Sequence, residues 1–417
     1  MSSALAGDVK FREVWAWSMY DFANSAYTTV VITALFGAYF VAGVAGKAPW
    51  ATFAWTAALS VSYAAILLTG PLVGAWADAH AAKKKLLWLT TLGCVVFTAA
   101  LYAVQPGAVV LALVLIMLSN YFFGVGENVI AAFLPELADS RAMGRVSGWG
   151  WSFGYLGGLA ALGICLAYIL GSGKPASEAV PVTMLITAGF FLLAATPTFL
   201  FLRERAVPQP MESPWKRLLD TARHAARFQD LRRFLICIVF YQAGITAVVA
   251  LAAIYAEQAM KFTTQQTITL ILVVNITAAV GAFGFGYLQD AIGHVRALAL
   301  TLVGWIAMVL MAGLSESQTM FWAAANLAGL CMGSSQAAGR AMVGYLAPPS
   351  RVAEFFGLWG LAVKAASIFG PLTYGAVEWL GGSHRLAIFV TGLYFVAGLA
   401  LLKSIDMERG RRAALAQ

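Results

Sequence analysis

Four ionisable side chains lie inside stretches of the chain that are too apolar for a soluble protein. Two are acids in the first half and two are bases in the second half: Asp21, Glu127, Arg340 and Lys364. A charge in hydrocarbon costs about 2.5–3.5 kcal/mol on insertion scales, so an ionisable residue there usually faces a partner or a water-filled cavity. The pattern is typical of a membrane protein that binds or moves a charged solute.

Polar side chains accompany these charges at helical spacing. Asn24 and Tyr27 follow Asp21 at steps of three residues, and similar polar stripes occur in three later apolar segments. In a membrane helix, such stripes usually face the bundle interior, as hydrogen-bonding contacts or as the lining of a pathway. The residues predicted to take part in substrate binding or coupling are Asp21, Asn24, Tyr27, Glu127, Gln242, Gln336, Arg340 and Lys364.

Several of these residues also have a structural interpretation. For Asn24, hydrogen bonding between helices explains the residue as well as a solute pathway does. The stripe that ends at Arg340 also contains Gly329 and Gly333, for which close helix packing is the favoured interpretation. Arg340 and Glu127 lie toward one end of their segments, so a latch that closes a gate competes with substrate contact for both residues.

The elements that position these residues follow from composition. Hydrophobic residues make up 61% of the chain and charged residues only 11%, with a mean hydropathy of +0.78. Soluble domains have about 25% charged residues. We predict an all-α membrane protein with twelve transmembrane helices in two six-helix halves, because twelve apolar windows are long enough to span a bilayer. They lie at about 14–41, 51–77, 85–104, 108–134, 145–170, 181–202, 231–257, 264–289, 295–314, 319–344, 352–378 and 386–403.

The two predicted halves, 1–202 and 231–417, are joined by a polar linker at 203–230. Within this linker, Ser213 and Pro214 are typical of the start of a helix. The following residues alternate between apolar and basic faces, which predicts an amphipathic helix on the membrane surface. A plain tether is the alternative.

Basic residues orient the predicted bundle. Most of the 27 Lys and Arg residues fall at the termini, in the linker and in every second loop. This asymmetry predicts that both termini and the linker are cytoplasmic. It also explains the net charge of +8 as a topology signal, so a nucleic-acid partner is not expected. The opposite face has only four basic residues, Lys47, Lys174, Lys261 and Arg385.

Chemistry of other kinds finds no support in the sequence. The four cysteines lie singly in separate apolar segments, without metal-like or redox-like spacing. No phosphate-binding glycine loop and no nucleophile motif occur, so we expect neither an enzyme nor a metal or other cofactor. The four histidines fall in loops or at segment ends. If a proton is the coupling ion, we therefore expect a carboxylate to carry it.

A short loop of the form G-x-x-x-D occurs in both halves. It runs from Gly74 to Asp78 after the second apolar segment and from Gly286 to Asp290 after the eighth. Here the chain resembles the major facilitator superfamily, which has a G-x-L-x-D loop after its second helix, although Trp76 stands where Leu is usual. The resemblance covers nearly the whole chain. It implies the major facilitator fold, with a substrate site between the halves near the midplane, and gating roles for Asp78 and Asp290.

A narrower resemblance rests on the motif YDFANSAY at Tyr20–Tyr27, with support from Gly154–Gly158 (GYLGG), Phe355–Leu358 (FFGL) and Lys364. These residues are similar to the vacuole-effluxer-like branch of the superfamily. That branch includes autophagy-related vacuolar amino-acid effluxers and many bacterial proteins. The resemblance implies an integral membrane transporter, which we place in a bacterial inner membrane as a monomer.

The leading hypothesis is a secondary transporter that moves a small zwitterion, such as an amino acid, by alternating access. A zwitterion needs an anion site and a cation site, which the bases of one half and the acids of the other would supply. The alternative is an exporter of larger amphiphilic compounds such as drugs or lipids, in which the charges mainly latch gates. A receptor without transport is a third class, against which the intramembrane charges argue.

Overall fold

The computed structural model describes residues 7–137, 143–205, 216, 223, 228–347 and 352–416. These residues form helices and connecting loops and contain no strand. Twelve long helical segments confirm the predicted all-α membrane fold, and ten of them are long and apolar enough to cross a bilayer. The other two, α10 and α11, contain Arg340 and Lys364. In order, α1 to α12 are Phe11–Val44, Ala51–His80, Lys83–Ala100, Val109–Ala131, Met143–Ser172, Ala176–Phe201, Gln229–Gln258, Thr264–Ile292, His294–Leu314, Gln318–Leu346, Val352–Gly381 and His384–Leu402.

The first helix is not α-helical along its whole length. Its α-helical part, Phe11–Ala26, is followed by π-helical turns at Tyr27–Ala34 and Phe40–Val44, with a bend at Leu35. A π-helix has more residues per turn than the 3.6 of an α-helix, and π-helical turns occur frequently at functional sites. Spacing rules for an α-helix therefore cease to predict which residues share a face beyond Ala26.

The chain forms two compact units. In the first unit, α1 packs against α5 and α6, and α3 packs against α4 and α6. In the second unit, α7 packs against α11 and α12, and α9 packs against α10 and α12. The same four pairings recur, so each unit is a copy of one six-helix arrangement. Unit 1 comprises Met1–Ala51, Val61–Pro214 and Thr263–Ile268, and unit 2 comprises Thr52–Ser60, Trp215–Phe262 and Thr269–Gln417.

The boundary between the units falls inside the predicted linker. In addition, the first turns of α2 belong to unit 2, and the first turn of α8 belongs to unit 1. The predicted boundaries at 202 and 231 stay predictions. The amphipathic helix predicted within 203–230 lies outside the described residues, apart from Lys216, Arg223 and the two ends of the linker. It also stays a prediction.

An ion pair joins the start of α1 to the residues that follow α6. The Arg205 guanidinium donates to both oxygens of the buried Glu13 carboxylate, at 2.8 and 3.0 Å, and its Nε donates to Asp8 at 3.3 Å. The hydrogen bond from Arg205 also lowers the pKa of the exposed Asp8 carboxyl. Glu204 accepts hydrogen bonds from the first two amides of α3, Lys83 N and Lys84 N. These contacts tie three helix ends of unit 1 together.

Unit 2 repeats this clamp with different residues. A short helix, α13 (Met407–Leu415), follows α12, and its Arg409 donates to both oxygens of Asp230 at the start of α7. Asp230 is only 3% exposed and also accepts from the Asp406 amide at 3.0 Å. Bidentate arginine–carboxylate pairs are among the stronger side-chain interactions. In both units, then, an arginine after the sixth helix binds an acid in the first turn of the first helix.

Replacing Arg409 with alanine should lower the stability of the protein. The substitution leaves the buried Asp230 carboxylate without its arginine, and an unsatisfied buried polar group costs about 1–3 kcal/mol. The measurement is thermal unfolding of the detergent-purified protein, with Arg412→Ala as the matched control because Arg412 is exposed on the same short helix. Equal unfolding temperatures for the two variants would contradict the structural role of the clamp.

Candidate functional site

The two intramembrane acids that the sequence predicts in unit 1 lie near one buried tyrosine. Tyr20 is 1% exposed, and its hydroxyl is 3.0 Å from the Thr91 hydroxyl of α3. Both Asp21 on α1 and Glu127 on α4 are within electrostatic range of the Tyr20 hydroxyl. Each acid is half-buried. A half-buried carboxylate can bind a cation or a proton, and both predicted acids lie within range of the same buried phenol.

Asp21 lies where α1 approaches α5 most closely. A Cβ atom at Gly150 of α5 would overlap the Asp21 carboxylate, and one at Gly154 would lie 2.8 Å from the Ser25 hydroxyl. A Cβ at Gly157 would overlap the backbone carbonyl of Phe22. The glycines of the motif at Gly154–Gly158 therefore let α5 pack directly against the polar face of α1. This contact fixes the position of Asp21.

The two neutral residues predicted on α1 are more deeply buried than Asp21. Asn24 is 6% exposed, and Tyr27 has no exposed surface. The Tyr27 hydroxyl is 2.8 Å from the Ser119 hydroxyl of α4, and its ring stacks on Phe123 with centroids 5.0 Å apart. These contacts favour packing between α1 and α4 as the role of Tyr27. Its predicted contact with a solute stays a prediction.

Further polar contacts fix α4, which carries Glu127, against α2. The buried Asn120 amide donates to the Ser62 hydroxyl at 2.6 Å, and the Tyr121 and Thr69 hydroxyls are 3.0 Å apart. Asn120 Oδ1 is buried and has no hydrogen-bond partner among the described residues. The polar stripe of α4 thus serves in part to join helices.

In unit 2, the Arg340 guanidinium lies over the ring of Trp359, 5.6 Å from its centroid. A cation over an aromatic face is stabilised by about 0.5–2 kcal/mol, which offsets part of the cost of keeping the charge within the membrane. Gln336 lies one turn earlier on α10, and its Oε1 is buried without a partner among the described residues. Together they offer a cation and an unsatisfied acceptor on one face of α10.

Lys364 and Gln242 are half-buried residues of α11 and α7. Gly360 lies one turn before Lys364, and a Cβ atom built there would have no described atom outside its own helix within 4 Å. By contrast, a Cβ at Gly370 would overlap the Ala243 carbonyl of α7. The later part of α11 therefore packs tightly on α7, whereas no described helix approaches α11 closely at Gly360.

The glycines of α10 confirm the packing interpretation. A Cβ atom at Gly329 would overlap the Thr277 hydroxyl of α8, and one at Gly333 would overlap the Ala278 carbonyl. Small residues let membrane helices approach closely, which is the usual reason for glycines at this spacing. The stripe predicted on α10 thus has two parts. Its glycines pack against α8, and its polar residues lie near Arg340.

The structure does not describe the side chains of Asp78 and Asp290, whose gating roles stay predictions. Among the described residues, no group of three His, Cys, Asp or Glu side chains could hold a metal ion.

Three buried acids near helix ends were missed by the sequence reasoning. Glu13 and Asp230 form the clamps, and Glu378 lies near the end of α11, beside His384. Each lies at the edge of an apolar window. At such a position, the sequence does not distinguish an exposed loop acid from a buried one. A first-turn acid with an arginine after the sixth helix, repeated in both halves, is a signal that could have identified the clamps.

Comparison with known proteins identifies the family. A family model described as "Vacuole effluxer Atg22 like" matches residues 50–144 and 139–415. An uncharacterized MFS-type transporter of Bacillus subtilis, YxiO, is 27% identical over 410 residues, covering 94% of each chain. Autophagy-related protein 22-1 of Aspergillus fumigatus is 25% identical over 329 residues, and that of Penicillium rubens is 28% identical over 315 residues. These matches cover 70% and 69% of this chain but only 54% and 53% of the fungal proteins, so the chain spans about half of their length. The motif at Tyr20–Tyr27 precedes the residues that the family model matches.

Solved structures of the same fold include the nucleoside transporter NupG, with a TM-score of 0.73 at 13% identity over 94% of this chain and 99% of that one. An inward-open structure of the xylose transporter XylE from E. coli has a TM-score of 0.72 at 11% identity over 96% and 98%. At these identities the likeness shows the fold alone, and it confirms the major facilitator fold.

Replacing Gly157 with alanine should disrupt the contact between α1 and α5. The added methyl group would overlap a backbone carbonyl, which cannot move aside as a side chain can, and overpacking costs about 1–3 kcal/mol. Thermal unfolding of the purified variant measures this loss. Gly163→Ala on the same helix is the matched control, because a Cβ atom there has no neighbour within 4 Å. An equal effect of both variants would show that the close approach at Gly157 is unimportant.

Proposed function

The chain belongs to the vacuole effluxer Atg22-like family and is a secondary transporter of the MFS type in a membrane; on this premise we propose that its cargo is a small zwitterionic solute, specifically an amino acid. The observation that carries the proposal is the separation of charge by unit. The half-buried acids near Tyr20 lie in unit 1, and the bases on α10 and α11 lie in unit 2.

In unit 1, the proposed role of Asp21 and Glu127 is to bind the ammonium group of the solute or a coupling proton. Both acids are half-buried, which strengthens their attraction for a cation by excluding part of the water around it. The close packing of Gly150 and Gly154 against α1 supports a fixed position for Asp21. A fixed carboxylate loses less conformational freedom when it binds a cation than a mobile one does.

In unit 2, Arg340 or Lys364 binds the carboxylate of the solute. Arginine suits this role because its planar fork matches both carboxylate oxygens. Gln336 Oε1, which has no hydrogen-bond partner in the described part of the chain, can accept a hydrogen bond from the solute, and Gln242 on α7 is a further polar contact. Alternating access then moves the solute across the membrane. We place the protein in a bacterial inner membrane as a monomer with cytoplasmic termini, in line with its basic residues.

The alternative cargo is a larger amphiphilic compound, such as a drug or a lipid. In that case Glu127 and Arg340 would mainly latch gates, and neutralising Asp21 would spare transport. The family description names an effluxer, which agrees with either cargo. A direct flux measurement decides between them.

Replacing Asp21 with asparagine should abolish amino-acid transport, because the isosteric amide cannot attract an ammonium group or release a proton. The measurement is uptake of a radiolabelled mixture of the common amino acids into proteoliposomes. The matched control is Glu178→Gln, which removes an exposed acid from the same unit. Resistance to toxic amphiphiles that persists in cells expressing the asparagine variant, without amino-acid flux in the wild type, would favour the alternative cargo.

Replacing Arg340 or Lys364 with glutamine should weaken recognition of the solute carboxylate. A ligand at one hundred times its Kd stabilises the folded state by about 2.7 kcal/mol, so binding raises the unfolding temperature. We expect at least one of the two variants to lose the stabilisation by amino acids, while Arg296→Gln, an exposed cation of the same unit, keeps it. Full stabilisation of both variants would exclude these bases from the site.

A further inference from the structure

A carboxylate and an imidazole face each other where α11 and α12 meet in unit 2. Glu378 lies in the last turn of α11, and His384 is the first residue of α12, after a turn in which Gly382 has a φ of +60°. Glu378 Oε1 is 3.9 Å from His384 Nε2, and the two side chains are only 14% and 15% exposed. Two groups that bind protons are therefore held together away from water.

A buried tyrosine holds the imidazole from its other side. The Tyr374 hydroxyl is 3.2 Å from His384 Nδ1, and Tyr374 lies one turn before Glu378 on the same helix. A tyrosine hydroxyl can donate to or accept from this nitrogen, so His384 can direct either a proton or a lone pair toward Glu378. The arrangement thus accommodates both protonation states of the imidazole.

The second oxygen of Glu378 is buried and has no hydrogen-bond partner among the described residues. The next residue, Trp379, stacks on Phe53 at the start of α2 with ring centroids 5.0 Å apart. The Thr52 hydroxyl, in the same turn of α2, interacts with the Glu378 carboxyl. An ionised carboxylate in such a place is costly, and a proton removes that cost.

The charged and titratable groups around the pair leave it without a fixed counter-ion. Lys261, after α7, is within electrostatic range of His384. Arg385 is within range of Tyr255 but donates to the Ser315 carbonyl at 2.8 Å, and the Tyr255 hydroxyl donates to Ala312 O at 2.8 Å. Within 4 Å of the Glu378 carboxyl, the His384 imidazole is the one described group that can carry a positive charge, and it does so only when protonated. The charge of the pair therefore follows its own protonation.

We propose that Glu378 and His384 form the binding site of the proton that the transporter couples to its solute. The pair takes up one proton from water at one stage of the cycle and releases it to water at another, and no bond other than O–H or N–H forms or breaks. The inference rests on the proposed function for the link between this proton and the solute. It assigns the proton to a site other than Asp21 and Glu127, which in the proposed function bind the solute ammonium.

Protonation of the pair has a structural consequence within unit 2. The first turns of α2 pack on α11 close to Glu378, where Phe53 stacks on Trp379 and Thr56 fills the space beside Gly375. A neutral Glu378 is compatible with this dry contact, whereas an ionised one draws water into it. The protonation state of the pair thus controls how firmly α2 is held on α11.

The proton site can be tested without knowledge of the solute. Infrared difference spectra of the purified protein, recorded as a function of pH, report the C=O stretch of a protonated carboxyl group. We expect a band that titrates with pH in the wild type, that disappears in Glu378→Gln and that persists in Glu316→Gln, which removes an exposed acid of the same unit. A band that persists unchanged in Glu378→Gln overturns the proposal.

The imidazole has its own test in the same experiment. In His384→Gln the midpoint of the carboxyl band should change, because Glu378 then titrates without its coupled neighbour. An unchanged midpoint would show that the two groups do not act as a pair.

Coupling is tested in proteoliposomes with the labelled amino-acid mixture. Glu378→Gln should keep exchange of solute across the membrane, while accumulation driven by an imposed pH difference falls to the level of protein-free liposomes. Accumulation at the wild-type level overturns the coupling role. If the wild type moves no amino acid but its Glu378 band titrates, the proton site stands and the proposed cargo fails.

Discussion

In each unit, one bidentate arginine–carboxylate pair holds the first helix to the chain that leaves the sixth. Membrane helices satisfy their own backbone groups, so their relative positions depend on side chains alone. The pairs Glu13–Arg205 and Asp230–Arg409 supply this link at the helix ends, and glycine contacts such as that of Gly157 supply it within the bundle. These two kinds of contact help to position the polar residues of α1 and α7.

The two units repeat one scaffold but carry different chemistry. Their four helix pairings correspond, and so do their clamps. The repeat is broken in α1, which becomes π-helical after Ala26, whereas α7 is α-helical from Gln229 to Gln258. It is broken again in charge, since the intramembrane charges that the sequence predicts to bind the solute are acids on α1 and α4 and bases on α10 and α11. A repeated scaffold with opposite charges in its two copies is suited to a solute that is itself a dipole.

Much of this fold follows from the sequence, because twelve apolar windows and two repeated loops are local signals. The charged residues near Tyr20 and on α10 could also be predicted, because charges in apolar helices are conspicuous in the sequence. The clamps were not, because Glu13 and Arg205 are 192 positions apart and no periodicity links them. Nor was the π-helical stretch of α1 predicted, since spacing rules assume 3.6 residues per turn. Glu378 was missed because burial at a helix end depends on neighbours that only the fold supplies.

Separate sites for the proton and the solute have a thermodynamic consequence. If the proton and the solute ammonium both bound to Asp21, they would compete, and one would have to leave before the other could bind. With the proton at Glu378 and His384 and the solute elsewhere, both can be bound together, and their coupling becomes a property of the conformations that each favours. Linkage then requires reciprocity at equilibrium: the factor by which protonation changes the affinity for the solute equals the factor by which the solute changes the affinity for the proton. The contact of α2 with α11 beside Glu378 is the element through which the proton can favour one conformation over another.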